Sequence, residues 1–126
     1  CVVFHDSEIP KKQQDELSLH VLNHYGVSKR ENGLDVRESM LQLGALGVSS
    51  LLVEGGPHLW ASFLNAGLVD EVWLFKSPRT LGKDGVPAFL KIRPEVDAWI
   101  NAPGHQSYAQ KVGVDELTIL RIQQPL

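Results

Sequence analysis

Ser49-Ser50-Leu51-Leu52-Val53-Glu54-Gly55-Gly56-Pro57-His58-Leu59-Trp60-Ala61-Ser62-Phe63-Leu64 reads as a buried strand, a glycine turn and a helix. Leu51, Leu52 and Val53 form an apolar run too short for a helix, closed by a Gly-Gly-Pro breaker. Pro57 suits the first position of a helix, where a missing N–H costs nothing. Leu59, Trp60, Phe63 and Leu64 recur at the spacing of one helical face. Gly67 stops the helix, with Leu68 behind it as the usual apolar contact. Such a junction offers backbone N–H groups, a positive dipole end and two residues without side chains, a combination suited to a phosphate. Glu54 stands at the carboxyl end of the expected strand, where ligands of open α/β sheets lie.

Outward from this stretch the chain keeps alternating. Asp70-Glu71 leads into Val72, Trp73, Leu74 and Phe75, apolar on both faces and so a central buried strand. Ser77-Pro78 closes it, and 81–85 is a glycine-bounded loop with Lys83 and Asp84 at its tip. Prolines and glycines from Pro87 to Gly104 leave room for a short helix at most in 89–104. Residues 108–112 and 116–122 read as two strands about Gly113, an antiparallel hairpin. On the amino side, 1–4 is a short buried strand. Pro10 opens a helix through about Tyr25, with Leu17, Val21, Leu22 and Tyr25 as its apolar face and Gly26 as its cap. A short strand at 27–29 and a turn at 30–33 follow. Residues 35–46 carry the clearest helix signal: Asp35 to cap it, Glu38 three residues on, and Gly47 to end it. The order of elements implies one α/β domain over 1–126, a mostly parallel sheet flanked by helices with a C-terminal antiparallel hairpin.

Composition narrows the class of function. A chain of 126 residues, 43% hydrophobic and 21% charged, is long enough for one domain with a core. A formal charge of −3 with no basic block argues against nucleic acid as partner. The single cysteine, Cys1, excludes an internal disulfide and any multi-cysteine metal site, and fits the reducing cytoplasm. No apolar run reaches membrane-spanning length, so no membrane partner is expected. The sequence opens on Cys1-Val2-Val3-Phe4 rather than on Met and already looks like the middle of a strand, which suggests a fragment or a processed product.

Val53-Glu54-Gly55-Gly56-Pro57, continued through Ser62-Phe63-Leu64 and then Ala66-Gly67-Leu68-Val69-Asp70-Glu71-Val72, resembles a known pattern. It is similar to the reductase domain of bacterial riboflavin biosynthesis proteins, the RibD C-terminal family. That family runs from a strand ending in Glu-Gly-Gly, through a helix carrying Ser-Phe, to Gly-Leu-x-Asp-Glu and an apolar strand ending near Pro. Pro78 and Leu81-Gly82 stand where the family has its Pro and Leu-Gly. The resemblance covers nearly the whole chain but only the back half of the family's domain. It implies a dihydrofolate-reductase-like fold and a reaction in which NADPH reduces 5-amino-6-(5-phosphoribosylamino)uracil, in ring-opened form, to the ribitylamino product. It implies Glu54 as a substrate contact, and Gly56, Pro57, His58, Leu59, Trp60, Ala61 and Ser62 as the NADP-contacting stretch. Trp60 stands where the family usually has no tryptophan. No catalytic acid or base is assigned: hydride transfer to an imine-like carbon needs orientation and charge stabilisation, so Glu54 is expected to bind and position.

Each feature has a simpler reading beside the functional one. Gly-Gly-Pro is also a plain strand-to-helix turn, and Glu54 could cap the helix that follows it. The Ser62 hydroxyl could reach a phosphate or ribose, or bond a carbonyl within its own helix. His20 and His24 have the four-residue spacing of a helical metal pair, but no third ligand stands near them, and two solvent-facing histidines is the simpler reading. Asp70-Glu71 reads as a solvated turn, and Trp73 and Phe75 as core or interface. The terminal hairpin is a candidate homodimer edge. Two other readings compete with the reductase: a truncated, non-catalytic fragment that binds a nucleotide or assembles with a partner, and a reductase for a different pterin-like substrate.

Overall fold

The computed structural model describes residues 1–31, 33–88, 92–101 and 106–122. These fall into two compact units, Cys1–Val53 and Glu54–Leu126. The first is a β-α-β arrangement followed by a capped helix. Strand β1 (Val2–Asp6) pairs in parallel with β2 (Asn23–Val27), and helix α1 (Lys11–His20) connects them. The helix expected to reach Tyr25 therefore ends at His20. Val21 takes an extended conformation, and the following residues are drawn into the ladder with β1, where Tyr25 stands opposite Phe4. Gly26, expected to cap that helix, lies within β2 opposite His5. Its missing side chain has a packing reason, since a Cβ there would stand 3.0 Å from Ser7 Cα. Phe4 and Tyr25 pack with ring centroids 6.1 Å apart on one face of the pair.

A small hairpin of β3 (Lys29–Arg30) and β4 (Gly33–Leu34) leads into α2 (Val36–Ala45); Asn32 of the expected turn lies outside the described residues. Asp35 caps α2 as its sequence position predicts. Its Oδ1 accepts from the N–H groups of Arg37 at 2.8 Å and Glu38 at 3.2 Å, and its Oδ2 accepts from Arg30 Nε at 2.7 Å. Glu38 departs from the usual capping box. It accepts from the Ser28 N–H at 2.6 Å and the Ser28 hydroxyl at 2.9 Å, and so ties the helix to the preceding strand.

The Arg30 guanidinium, with the Glu38 and Arg37 N–H groups, holds the Asp35 carboxyl below its ordinary value of 3.8. A depressed carboxylate contributes stability above the ordinary value and loses it as pH falls through the lowered one. Asp35→Asn keeps a capping oxygen but loses the charge. Thermal unfolding should therefore find the variant less stable at neutral pH, with the gap closing on acidification below about pH 4.

The second unit holds α3 (Pro57–Asn65), strand β5 (Glu71–Lys76), a single 3₁₀ turn at Gly82–Asp84, α4 (Pro94–Asn101), and strands β6 (Gln106–Val112) and β7 (Asp115–Arg121). The three strands form an antiparallel sheet in the order β5-β7-β6. The terminal hairpin is as expected, and α4 is the short helix allowed for in 89–104, of which 89–91 and 102–104 lie outside the described residues. Two expectations need correction. Residues 51–53 form no strand: Leu51 and Leu52 are exposed, and among the described residues parallel pairing is confined to β1 and β2. A run of apolar residues becomes a strand only where a neighbour supplies its ladder, and no sheet among the described residues includes this segment. Likewise β5 is not central. It lies at one end of its sheet, with Trp73 and Phe75 exposed on one face and Val72 and Leu74 turned to the other. The core of this unit comprises Ala61, Phe63 and Leu64 of α3, Val96 of α4, and Leu117 and Leu120 of β7.

Candidate functional site

Residues Glu54 to Ser62 lie within one unit, so their local geometry can be built from the chain itself. Gly56 is the N-cap of α3 and Pro57 its first residue. The Gly56 carbonyl accepts from the N–H groups of Leu59 at 3.0 Å and Trp60 at 3.2 Å. Pro57 has no N–H. The donors left at the mouth of the helix are therefore those of Gly55, Gly56 and His58, fewer than the sequence pattern alone suggests. No side chain caps this end, and no acidic residue occupies the first turn. The positive end of the helix dipole is thus not neutralised from within the helix. Glu54 is exposed and does not cap α3, which removes the simpler reading of that residue.

The two glycines do different things. At Gly55 a Cβ would come within 3.0 Å of Leu59 Cβ and 3.1 Å of its Cγ, so Leu59 fills the space that a side chain would need. At Gly56 nothing lies within 4 Å of a Cβ, and its φ of −76° and ψ of 177° suit any residue. Neither strain nor packing demands glycine at 56. What its small size leaves is open room at the helix mouth, where a Cβ would stand.

The helix behind the turn divides by depth. Ala61, Phe63 and Leu64 are buried, Trp60 is half-buried, and His58 and Leu59 are exposed beside the turn. The expected apolar face of Leu59, Trp60, Phe63 and Leu64 is therefore only partly the core face. The Ser62 hydroxyl donates to the His58 carbonyl at 3.0 Å, the bond within its own helix, and keeps its oxygen lone pairs for any further partner. The helix ends in a Schellman motif. Gly67, at φ 63°, donates to Leu64, and Leu68 donates to Phe63, which fixes the helix and hence the turn at its other end.

Other chemistry-bearing residues gather away from this turn. Glu71 accepts from Trp73 Nε1 at 3.0 Å and from Arg121 Nε at 2.8 Å, and these bonds, the Trp73 bond foremost, lower its carboxyl below the ordinary value. The expected solvated turn at Asp70-Glu71 is thus half right: Asp70 precedes the strand, whereas Glu71 begins it and binds across it. Only the register of β5 on β7, which sets Glu71 opposite Arg121, could have revealed that pair. His24 lies on β2 rather than on a helix with His20, so the four-residue spacing makes no metal pair. Among the described residues no group of three or more His, Cys, Asp or Glu could hold a metal ion. No described helix is long and apolar enough to cross a membrane.

The chain is 40% identical over 58 residues to the riboflavin biosynthesis protein RibD of Escherichia coli strain K12. That segment is 46% of this chain and 16% of the relative, so the match spans a small part of that protein. The family described as the RibD C-terminal domain matches residues 1–112, nearly the whole length. On that match, the chain belongs to the RibD C-terminal domain family.

Proposed function

We propose that this chain is part of a riboflavin-pathway reductase that uses NADPH to reduce 5-amino-6-(5-phosphoribosylamino)uracil to its ribitylamino product. The observation that carries the reading is the turn at Gly55-Gly56. The helix mouth there combines an uncompensated dipole, three backbone N–H groups outside the helix's own hydrogen bonds, and open room where a side chain at 56 would stand. Those features fit the diphosphate of a dinucleotide. Gly56, Pro57, His58, Leu59, Trp60, Ala61 and Ser62 form the cofactor-contacting stretch, with the Gly55, Gly56 and His58 N–H groups as donors. Glu54, exposed at the start of the turn, accepts hydrogen bonds from substrate hydroxyl or amino groups and orients the sugar carbon. When bound, NADPH supplies the hydride; the chain's own task is binding, orientation and charge balance.

The same reading includes a single domain over 1–126 of dihydrofolate-reductase-like fold, a cytoplasmic location, and a homodimer formed through the terminal hairpin. Strand β6 lies at one end of its sheet and so offers an edge for pairing. A monomeric mass by light scattering at micromolar concentration would contradict the dimer. Cofactor binding is tested by titration. Trp60 is half-buried in the same stretch, so NADPH should quench tryptophan fluorescence saturably. No saturable change would contradict the reading.

A further inference from the structure

His5 of β1 and His24 of β2 share one face of the parallel pair, because His24 stands opposite Val3, and His5 opposite Gly26. His5 Nε2 lies 3.1 Å from His24 Nδ1. Gly26 leaves room for this approach, since a Cβ there would stand 3.4 Å from His5 Cε1. The chemistry of the pair is set by the other two ring nitrogens. His5 Nδ1 lies 2.8 Å from the Asp6 carbonyl, which only accepts, so this nitrogen carries the hydrogen. The Ser18 hydroxyl of α1 donates to the Gln14 carbonyl at 2.8 Å. Its lone pairs are left for His24 Nε2, 2.8 Å away, so that nitrogen also carries the hydrogen. A neutral imidazole has one N–H and one lone pair. With the outer contacts made, His5 Nε2 and His24 Nδ1 both present lone pairs, and these meet across 3.1 Å.

Two lone pairs this close repel unless both bind one cation. We propose that His5 Nε2 and His24 Nδ1 form a two-histidine site for a divalent transition-metal ion of the zinc class, with water in its remaining positions. The spacing suits such an ion. Two imidazole nitrogens roughly 2.0–2.1 Å from one metal stand about 2.9 Å apart at a right angle and about 3.3 Å apart at the tetrahedral angle. The observed 3.1 Å falls between these. The outer contacts suit it as well. A ligating histidine gives its second N–H to a fixed acceptor, which sets its tautomer and ring orientation, and here the Asp6 carbonyl and the Ser18 hydroxyl are those acceptors. Imidazole donors select zinc, copper or nickel over magnesium and calcium, which take oxygen ligands.

The surroundings admit an ion. Both rings are half-buried, so solvent reaches its open positions. Asp6 follows His5 in β1, and its carboxylate accepts from the Glu8 N–H at 2.9 Å. One N–H does not cancel that negative charge, which favours a cation at this end of the strand pair. Among the described residues no third His, Cys, Asp or Glu completes the set. The site is therefore open to water, unlike a closed structural zinc centre. A bound ion would tie β1 to β2 directly and to α1 through Ser18, and so stabilise this β-α-β arrangement by mass action.

Zinc titration of the full chain at about pH 7.5, where imidazoles are ordinarily neutral, tests this through imidazole ¹⁵N spectra. A Cys1→Ser background removes the exposed thiol as a competing ligand. A single ion per chain should shift His5 Nε2 and His24 Nδ1 to coordinated positions, while His5 Nδ1 and His24 Nε2 keep their hydrogens. Exposed His20 and His58 are the references and should respond only at higher zinc concentration. Ser18→Ala, which removes an outer contact and no ligand, should weaken zinc binding by about 10- to 100-fold, and His5→Gln by at least that. No zinc response at the two nitrogens, or one in step with His20 and His58, would overturn the proposal. So would a pair that answers acidification but not zinc, which would mean a shared proton only, or equal zinc affinity with and without Ser18. Should a variant not fold, the spectra of the Cys1→Ser chain decide.

Discussion

Gly56→Val should weaken NADPH binding by about 10- to 100-fold while leaving the fold intact. The loss corresponds to one charge-assisted hydrogen bond from a backbone N–H group to phosphate, worth roughly 1.5–3 kcal/mol. The valine side chain would occupy the space through which the diphosphate approaches. Stability should hold to within about 0.5 kcal/mol, because the backbone at 56 is in an ordinary extended conformation and no atom lies within 4 Å of the new Cβ. Gly55→Val is the contrasting variant. Its Cβ meets Leu59, so it should lower stability as well as binding. The two are separated by running the fluorescence titration alongside urea unfolding. Equal NADPH affinity in Gly56→Val and the parent would mean that the open turn is not the cofactor's seat.

Phe63→Ala should cost about 3–5 kcal/mol, more than truncating any smaller side chain of the described core. Phe63 is 7% exposed on α3, in the same core as Leu64, Val96, Leu117 and Leu120. The cost is a large fraction of the roughly 5–15 kcal/mol that holds a typical domain together. Leu59→Ala, four residues earlier on the same helix, should cost far less, because Leu59 is already 43% exposed. Urea midpoints at constant slope measure both. A small loss at Phe63 would show that α3 is not anchored as described, and with it the turn.

What the sequence disclosed was local. Pro57, Gly67 and the pair Asp35 and Glu38 act through bonds within a few residues, and each stands where its pattern places it, even though Glu38 reaches Ser28 rather than the cap residue. The terminal hairpin was legible for the same reason, since its turn at Gly113 and its alternating strands are near neighbours. Pairing between distant segments was not. An apolar run such as 51–53 fits a buried strand, but a strand exists only if a neighbour completes its hydrogen bonds. The four apolar residues from Val72 to Phe75 fit a central strand equally well, yet the strand lies at one end of its sheet. The helix through Tyr25 failed on the same ground, because the ladder with β1 took residues 23–27 from it.

The candidate site was readable as a list of residues and less so as chemistry. The Gly-Gly-Pro turn announced a helix mouth. It did not announce that the Gly56 carbonyl would take up two of the N–H groups, or that the two glycines would have separate reasons, one filled by Leu59 and the other open. The approach of His5 Nε2 to His24 Nδ1, 3.1 Å, depends on strand register across 19 residues of sequence, and spacing along the chain pointed to a different partner for His24, His20.

The central claim is that this turn holds NADPH for reduction of a phosphoribosylamino-pyrimidine. Its most direct test is to supply the chain with NADPH deuterated at the transferable position, together with that substrate, and to weigh the product. The account predicts a ribitylamino product carrying deuterium at the former anomeric carbon, lost in Gly56→Val. Saturable NADPH binding with no deuterium in any product would contradict reduction by this chain and favour the non-catalytic binding reading.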